Sequence, residues 1–158
     1  MPSDRLAEIR GLITTHARPD LWTSIVGMLL SKVEWAAPDH SLTEPLLVVL
    51  AQGAKRLMLG DQVHEYRAGQ FLLVTATLPV SGHFIDAATR TPALGMGLVL
   101  RPDAIAPLLL LAPARRWSRG DADLPAIATG EASPDALDGV TRLLRLLDSP
   151  ADAAVLAP

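Results

Sequence analysis

Cysteine is absent from the 158 residues, which excludes disulfides, thiolate nucleophiles and thiolate metal sites. Aromatic residues make up only 4% of the chain, so the core must be built from Leu, Val, Ile and Ala. Lysine is scarce too, with Lys32 and Lys55 standing among an arginine-rich set of cations. Positive charge is not in excess. The net charge of -3 argues against these residues gripping a nucleic-acid backbone, which calls for a basic face. The longest apolar runs, such as Leu108 to Ala112, fall far short of the roughly 20 residues of a membrane span. The opening MPSDRLAEIR has no apolar signal core. A cytoplasmic protein with no membrane partner is expected. The four histidines, His16, His40, His64 and His83, form no His-x-His pair, whose side chains would leave a strand on one face and share a metal. There is no G-x-S-x-G, and Ser81-Gly82-His83 has no identified acid to orient its histidine. No metal, no other cofactor and no catalytic residue is expected.

Apolar residues account for 49% of the chain, ample for one domain with a core. The most informative stretch is Pro45 to Pro79, which alternates apolar segments with tight turns. Leu46 to Ala51 is almost wholly apolar, the pattern of a strand covered on both faces. Lys55 to Leu59 and Val63 to Tyr66 read as a hairpin about Gly60-Asp61, with glycine first as a type II′ turn demands. Ala68-Gly69 turns the chain into Phe71 to Ala76, and Pro79 is expected to break or bend an edge. Val80 to Ala87 and Leu94 to Leu100 read as further strands. Upstream, Leu29, Val33 and Trp35 share one strand face with Ser31 between them, and Lys32 and Glu34 share the other. Ala36 to Glu44 reads as a polar loop.

Helices are expected at both ends. Leu6, Ile9, Leu12, Ile13 and His16 fall on one helical face, with Ser3 as N-cap and Arg18-Pro19 as the stop. Pro102 opens a short helix carrying Ile105, Leu108 and Leu109. Residues 113–130 read as mixed loop, with Trp117 among Arg115, Arg116 and Arg119. Ser133-Pro134 opens a last helix whose stripe is Leu137, Val140, Leu143, Leu144 and Leu147. The expected fold is mainly β with flanking helices. A helical arm (1–20) leads into a cupin-like jelly-roll barrel of about seven strands (21–101), and C-terminal helices (102–158) pack outside it.

The string LAQGAKRLMLGDQVHEYRAGQFLLVTATLPV resembles the N-terminal domain of AraC-type transcription regulators. The matching positions are Gln52, Gly53, Lys55, Gly60, Asp61, Tyr66, Gly69, Leu72, Leu78, Pro79 and Val80, followed by Pro92, Leu98 to Pro102, Ile105, Leu108, Leu109 and the Leu-rich end. The resemblance runs from about Ile9 to the last residue. It implies a cupin-like domain that senses a small-molecule effector and helps form a homodimer. DNA is then a partner only through a helix-turn-helix domain expected outside these residues, whether the chain is an excised piece or has lost its reader.

The effector is expected inside the barrel near Gln52, Lys55, Tyr66 and His83, polar groups set against aliphatic walls. Lys55 can pair with an anion, or form an imine with an aldehyde if desolvation lowers its pKa. Gln52 can donate and accept at once, and Tyr66 offers a ring and a hydroxyl. Each also has a structural alternative: a solvated Lys55, a Gln52 bonded to backbone, a Tyr66 packed in the core. Leu137, Val140, Leu144 and Leu147 are the candidate dimer seam, although such a stripe is first of all a core-facing one. Two other readings stay open. One is a metal-dependent cupin enzyme using His64 and His83; the other is a pure dimerisation module with a filled barrel.

Overall fold

Period-two alternation and glycine turns build an all-antiparallel barrel wrapped by helices. The computed structural model describes residues 2–35, 37–111 and 125–153. Helix α1 (Pro2–His16) leads into strands β1 (Met28–Val33), β2 (Asp39–Thr43), β3 (Leu46–Gln52), β4 (Ala54–Leu59), β5 (Gln62–Arg67), β6 (Gln70–Val74), β7 (Leu78–Ile85) and β8 (Ala93–Val99). Helix α2 (Pro102–Leu111), strand β9 (Ile127–Glu131), helix α3 (Pro134–Arg145), a 3₁₀ turn (Leu146–Asp148) and the short helix α4 (Pro150–Ala153) follow.

One sheet runs β1-β8-β3-β6-β9 and the other β2-β7-β4-β5, the expected jelly-roll arrangement of strands alternating between two facing sheets. Strand β3 is covered on both faces, as its composition requires. Leu46, Val48 and Leu50 face the space between the sheets, and Val49 and Ala51 join the core beneath the helices. The β4–β5 hairpin closes through Gly60-Asp61, with Leu59 opposite Gln62 and Gly60 at φ +59.

Two strands were not legible as strands. The stretch read as a loop at 36–44 contains β2, and the one read as mixed loop at 113–130 overlaps all but the last residue of β9, so the sheet extends past residue 101. Both are edge strands. β2 has the sequence DHSLT and is exposed over most of its length, so no apolar alternation marks it. Pro79 lies inside β7 opposite Leu42. Pairing of β7 with β4 reaches only as far as Ser81, so Pro79 sits where the strand has one neighbour and tolerates the missing donor.

The helices form a second layer on the five-stranded sheet. Helix α1 starts at Pro2, placing Ser3 within it rather than at its cap, in keeping with the preference for proline at a helix start. Ile9 and Ile13 are buried from α1 against Leu137, Val140 and Leu144 of α3, with Met28, Leu30 and Met96 below. Ser133 caps α3, accepting from the Ala136 amide at 3.1 Å. Arg5 pairs with Asp138, Arg145 with Glu8, and His16 Nε2 lies 2.7 Å from Asp148. The stripe offered as a dimer seam packs largely within this chain. Leu137, Val140 and Leu144 are core side chains of their own chain, and Leu147 is partly buried against the same cluster. Helix α2 differs, leaving Leu108, Leu110 and Leu111 exposed. The Trp117 cluster lies outside the described residues.

Candidate functional site

Inward-facing glycines keep the barrel from filling. Gly97 of β8 and Gly82 of β7 border the space between the sheets, which forms a cavity of about 680 Å³. A Cβ at Gly82 would meet Leu57 Cδ1 at 3.0 Å and Lys55 Cε at 3.2 Å. Around these glycines the walls are aliphatic: Leu29, Val33, Leu46, Val48, Leu50, Leu57, Leu72, Val74 and Val80. The floor merges with the inter-sheet core of Leu50, Leu57, Leu72, Val74 and Ile127. The mouth is ringed by Leu21, Trp22 and Trp35, all substantially exposed, together with Asp39 and Glu44. The β1 face read from sequence is the cavity face, since Leu29, Ser31, Val33 and Trp35 all line it.

Lys55 brings the cavity its amine. It is opposite Phe84 of β7 and opposite Tyr66 of β5, so two aromatic residues flank it along one row of the sheet. Its Nζ stands 4.8 Å from the Phe84 ring centre, a cation–π geometry when the amine is charged. Burial lowers the Lys55 pKa below its usual 10.5, partly opposed by the Asp39 carboxylate. The other lysine, Lys32, faces away and lies 3.8 Å from Glu34.

Tyr66 is almost fully buried at 1% exposure and lines the same cavity. Burial alone pushes its hydroxyl well above the usual phenol range, with no hydrogen bond contributing, so it stays protonated and available as a donor.

Gln52 lies outside the cavity, and His83 lies at its border. Gln52 Nε2 donates to the Pro92 carbonyl at 2.7 Å, tying the end of β3 to the β7–β8 connection, and Gln52 is not among the cavity-lining residues. His83 borders both the cavity and an external cleft of about 760 Å³. Alternation from inward-facing Gly82 turns its ring to the outer face beside its partner Arg56. On that outer face His40 Nδ1 and Ser81 Oγ are 2.6 Å apart. His64 faces inward, paired with Leu57. Its Nε2 is buried with no hydrogen-bond partner among the described residues. His64 and His83 therefore project to opposite faces of their sheet and do not converge on one ion. Among the described residues no group of three or more His, Cys, Asp or Glu side chains is placed to hold a metal.

Sequence reasoning missed Asp39 and Phe84. Asp39 was taken as loop, and Phe84 becomes a partner of Lys55 only through the β4–β7 register.

The sequence pattern of the AraC-type transcriptional regulator N-terminus matches residues 25–158. No curated protein sequence matches the chain. Among solved structures, an apo form of ToxT from Vibrio cholerae strain SCE256 is similar in fold, with a TM-score of 0.51 at 7% identity over 84% of this chain and 53% of that one. ToxT from the same strain with a bound unsaturated fatty acid gives 0.48 at 10% identity over 82% and 48%. The AraC-like transcriptional activator CuxR gives 0.42 at 12% identity over 87% and 55%. The chain thus spans about half the length of these solved chains. Among the described residues no helix is long and apolar enough to cross a membrane.

Proposed function

The chain belongs to the AraC-type transcriptional regulator N-terminus family, and on that premise we propose that it senses a small, mostly apolar effector held between its two sheets, with a polar head at Lys55. The observation that carries this reading is an amine set in an open aliphatic cavity between two aromatic residues. Pockets that bind small molecules are mostly apolar with a few convergent polar groups. The effector acts by population shift, binding one arrangement of barrel and helices more tightly than another. In a whole regulator that bias passes to a DNA-binding domain beyond these residues. The layer of α1 and α3 on the five-stranded sheet is the element best placed to transmit it, because β3 faces the cavity on one side and these helices on the other. Homodimerisation in this reading uses a surface other than Leu137, Val140 and Leu144, whose side chains serve the core.

The open cavity speaks against a dimerisation module with a filled barrel. The opposed faces of His64 and His83 speak against a metal-dependent enzyme. The test is a titration of Trp22 and Trp35 fluorescence, both residues being at the mouth, with a panel of amphipathic small molecules, repeated on Lys55→Ala. A binder should lose about 1–3 kcal/mol on that substitution, the scale of one bond to a charged group. A folded protein whose fluorescence and melting temperature ignore the whole panel would overturn the reading.

A further inference from the structure

We propose that Lys55 captures its effector covalently, as an imine with an apolar aldehyde. The proposal rests on the effector-sensing reading above and names the chemistry of the ligand head.

Geometry favours a neutral carbonyl over an anion. The cavity's ionisable lining consists of Asp39 and Glu44 at the rim, Lys55 and Tyr66 deeper in, and His83, whose place in β7 alternates with inward-facing Gly82. Two carboxylates thus guard the entrance against one amine, and an incoming anion meets repulsion before it reaches the lysine. A neutral aldehyde with an aliphatic tail meets none, and its tail suits the Leu and Val walls. Among the described residues no carboxylate lies within ion-pairing distance of Nζ, and its near neighbour is the Phe84 ring. An amine desolvated in an apolar pocket gives up its proton more readily than one in water, and so presents more readily the lone pair that carbonyl addition needs.

The step balances without oxidant or reductant. The Nζ lone pair attacks the carbonyl carbon, forming the C–N bond as the C=O π pair moves to oxygen. That oxygen takes a proton, for which the Tyr66 hydroxyl opposite Lys55 is the placed donor. The nitrogen, cationic after addition, returns a proton to the Tyr66 oxygen. A second proton, from solvent, reaches the carbinolamine hydroxyl, the nitrogen lone pair expels it as water, and the resulting iminium releases its N–H proton to solvent. The products are one imine and one water. Hydrolysis reverses the step, as a sensor requires.

Because the sequence has only two lysines, the site can be read directly. Octanal with cyanoborohydride, which reduces an imine to a stable secondary amine, is followed by peptide mapping. Octanol and octanoate, titrated by tryptophan fluorescence, report non-covalent binding. We expect the octyl group on Lys55 at a rate about tenfold above that on Lys32 and the terminal amine, as for an amine activated by desolvation. Octanol should protect Lys55, Lys55→Arg should remove the label, Lys32→Arg should leave it in place, and Tyr66→Phe should slow capture at saturating octanal. Octanol binding with Lys55 unlabelled, or label shared equally with Lys32, overturns the imine and leaves the effector-sensing reading standing. An unchanged rate in Tyr66→Phe removes that residue as proton donor. No response to any of the three compounds overturns both readings.

Discussion

Lys55 and Phe84 face each other across the β4–β7 pair, with the amine nitrogen 4.8 Å from the ring centre. The contact holds a titratable amine where water is scarce, and burial lowers its pKa. Between that lowered value and 10.5 the unfolded chain binds more protons than the folded one, so stability rises with pH through that window. Below it both states are charged, and the folded state bears the full cost of a buried ammonium. Lys55→Met should therefore raise stability at neutral pH by about 0.5–2 kcal/mol, the common yield when a residue kept for function is replaced. It should also flatten the alkaline rise. Urea melts at neutral and alkaline pH check both; a loss of stability at neutral pH would show that the amine is not penalised.

Gly82 sets the volume beside that amine. A Cβ there meets Leu57 Cδ1 at 3.0 Å, and the Arg56 carbonyl oxygen and Lys55 Cε at 3.2 Å each. Gly82→Ala is expected to displace the Lys55 side chain and weaken effector binding. The fold should survive, because two of the three contacts are the ends of flexible side chains. Labelling of Lys55 and the melting temperature, measured together, separate the two effects.

Gly53 and Gly60 both have positive φ, +90 and +59, in quite different surroundings. A Cβ at Gly53 would lie 3.0 Å from the Ala93 Cβ, whereas at Gly60 nothing lies within 4 Å. Gly60→Ala should cost about 1–2 kcal/mol from the left-handed backbone alone. Gly53→Ala should cost more, because the clash with β8 adds to that strain. Denaturant midpoints of the two variants give the order, and equal losses would remove the packing contribution.

Leu144 is fully buried at 0% exposure, whereas Leu110 is 87% exposed. Leu144→Ala should destabilise by about 2–5 kcal/mol. Leu110→Ala should stay within about 0.5 kcal/mol, as surface changes do. If Leu144 serves its own chain's core, the loss should not depend on protein concentration. A midpoint that moves with concentration would return α3 to the role of a dimer seam.

Much of this architecture was legible because local rules decide it. The two-residue Gly60-Asp61 turn, the Ser133-Pro134 helix start and the double-faced apolar run of β3 each follow from backbone sterics, capping or burial within a few residues. The sequence by itself also determined which chemistry is available, with no thiol, one tyrosine and two lysines. Tertiary structure alone decided what those groups meet. Edge strands β2 and β9 carry little apolar patterning, since one side of each has no partner, and only sheet pairing identifies them. The same pairing set Phe84 and Tyr66 on either side of Lys55, sent His64 and His83 to opposite faces, and tied the Gln52 amide to Pro92. The apolar stripe of α3 is equally suited to a partner chain or its own core. Docking of α1 against it places Leu137, Val140 and Leu144 in a buried cluster of their own chain. Whether the barrel would be filled or open rested on which glycines point inward, a question of register that composition cannot answer because strand alternation flips with every residue.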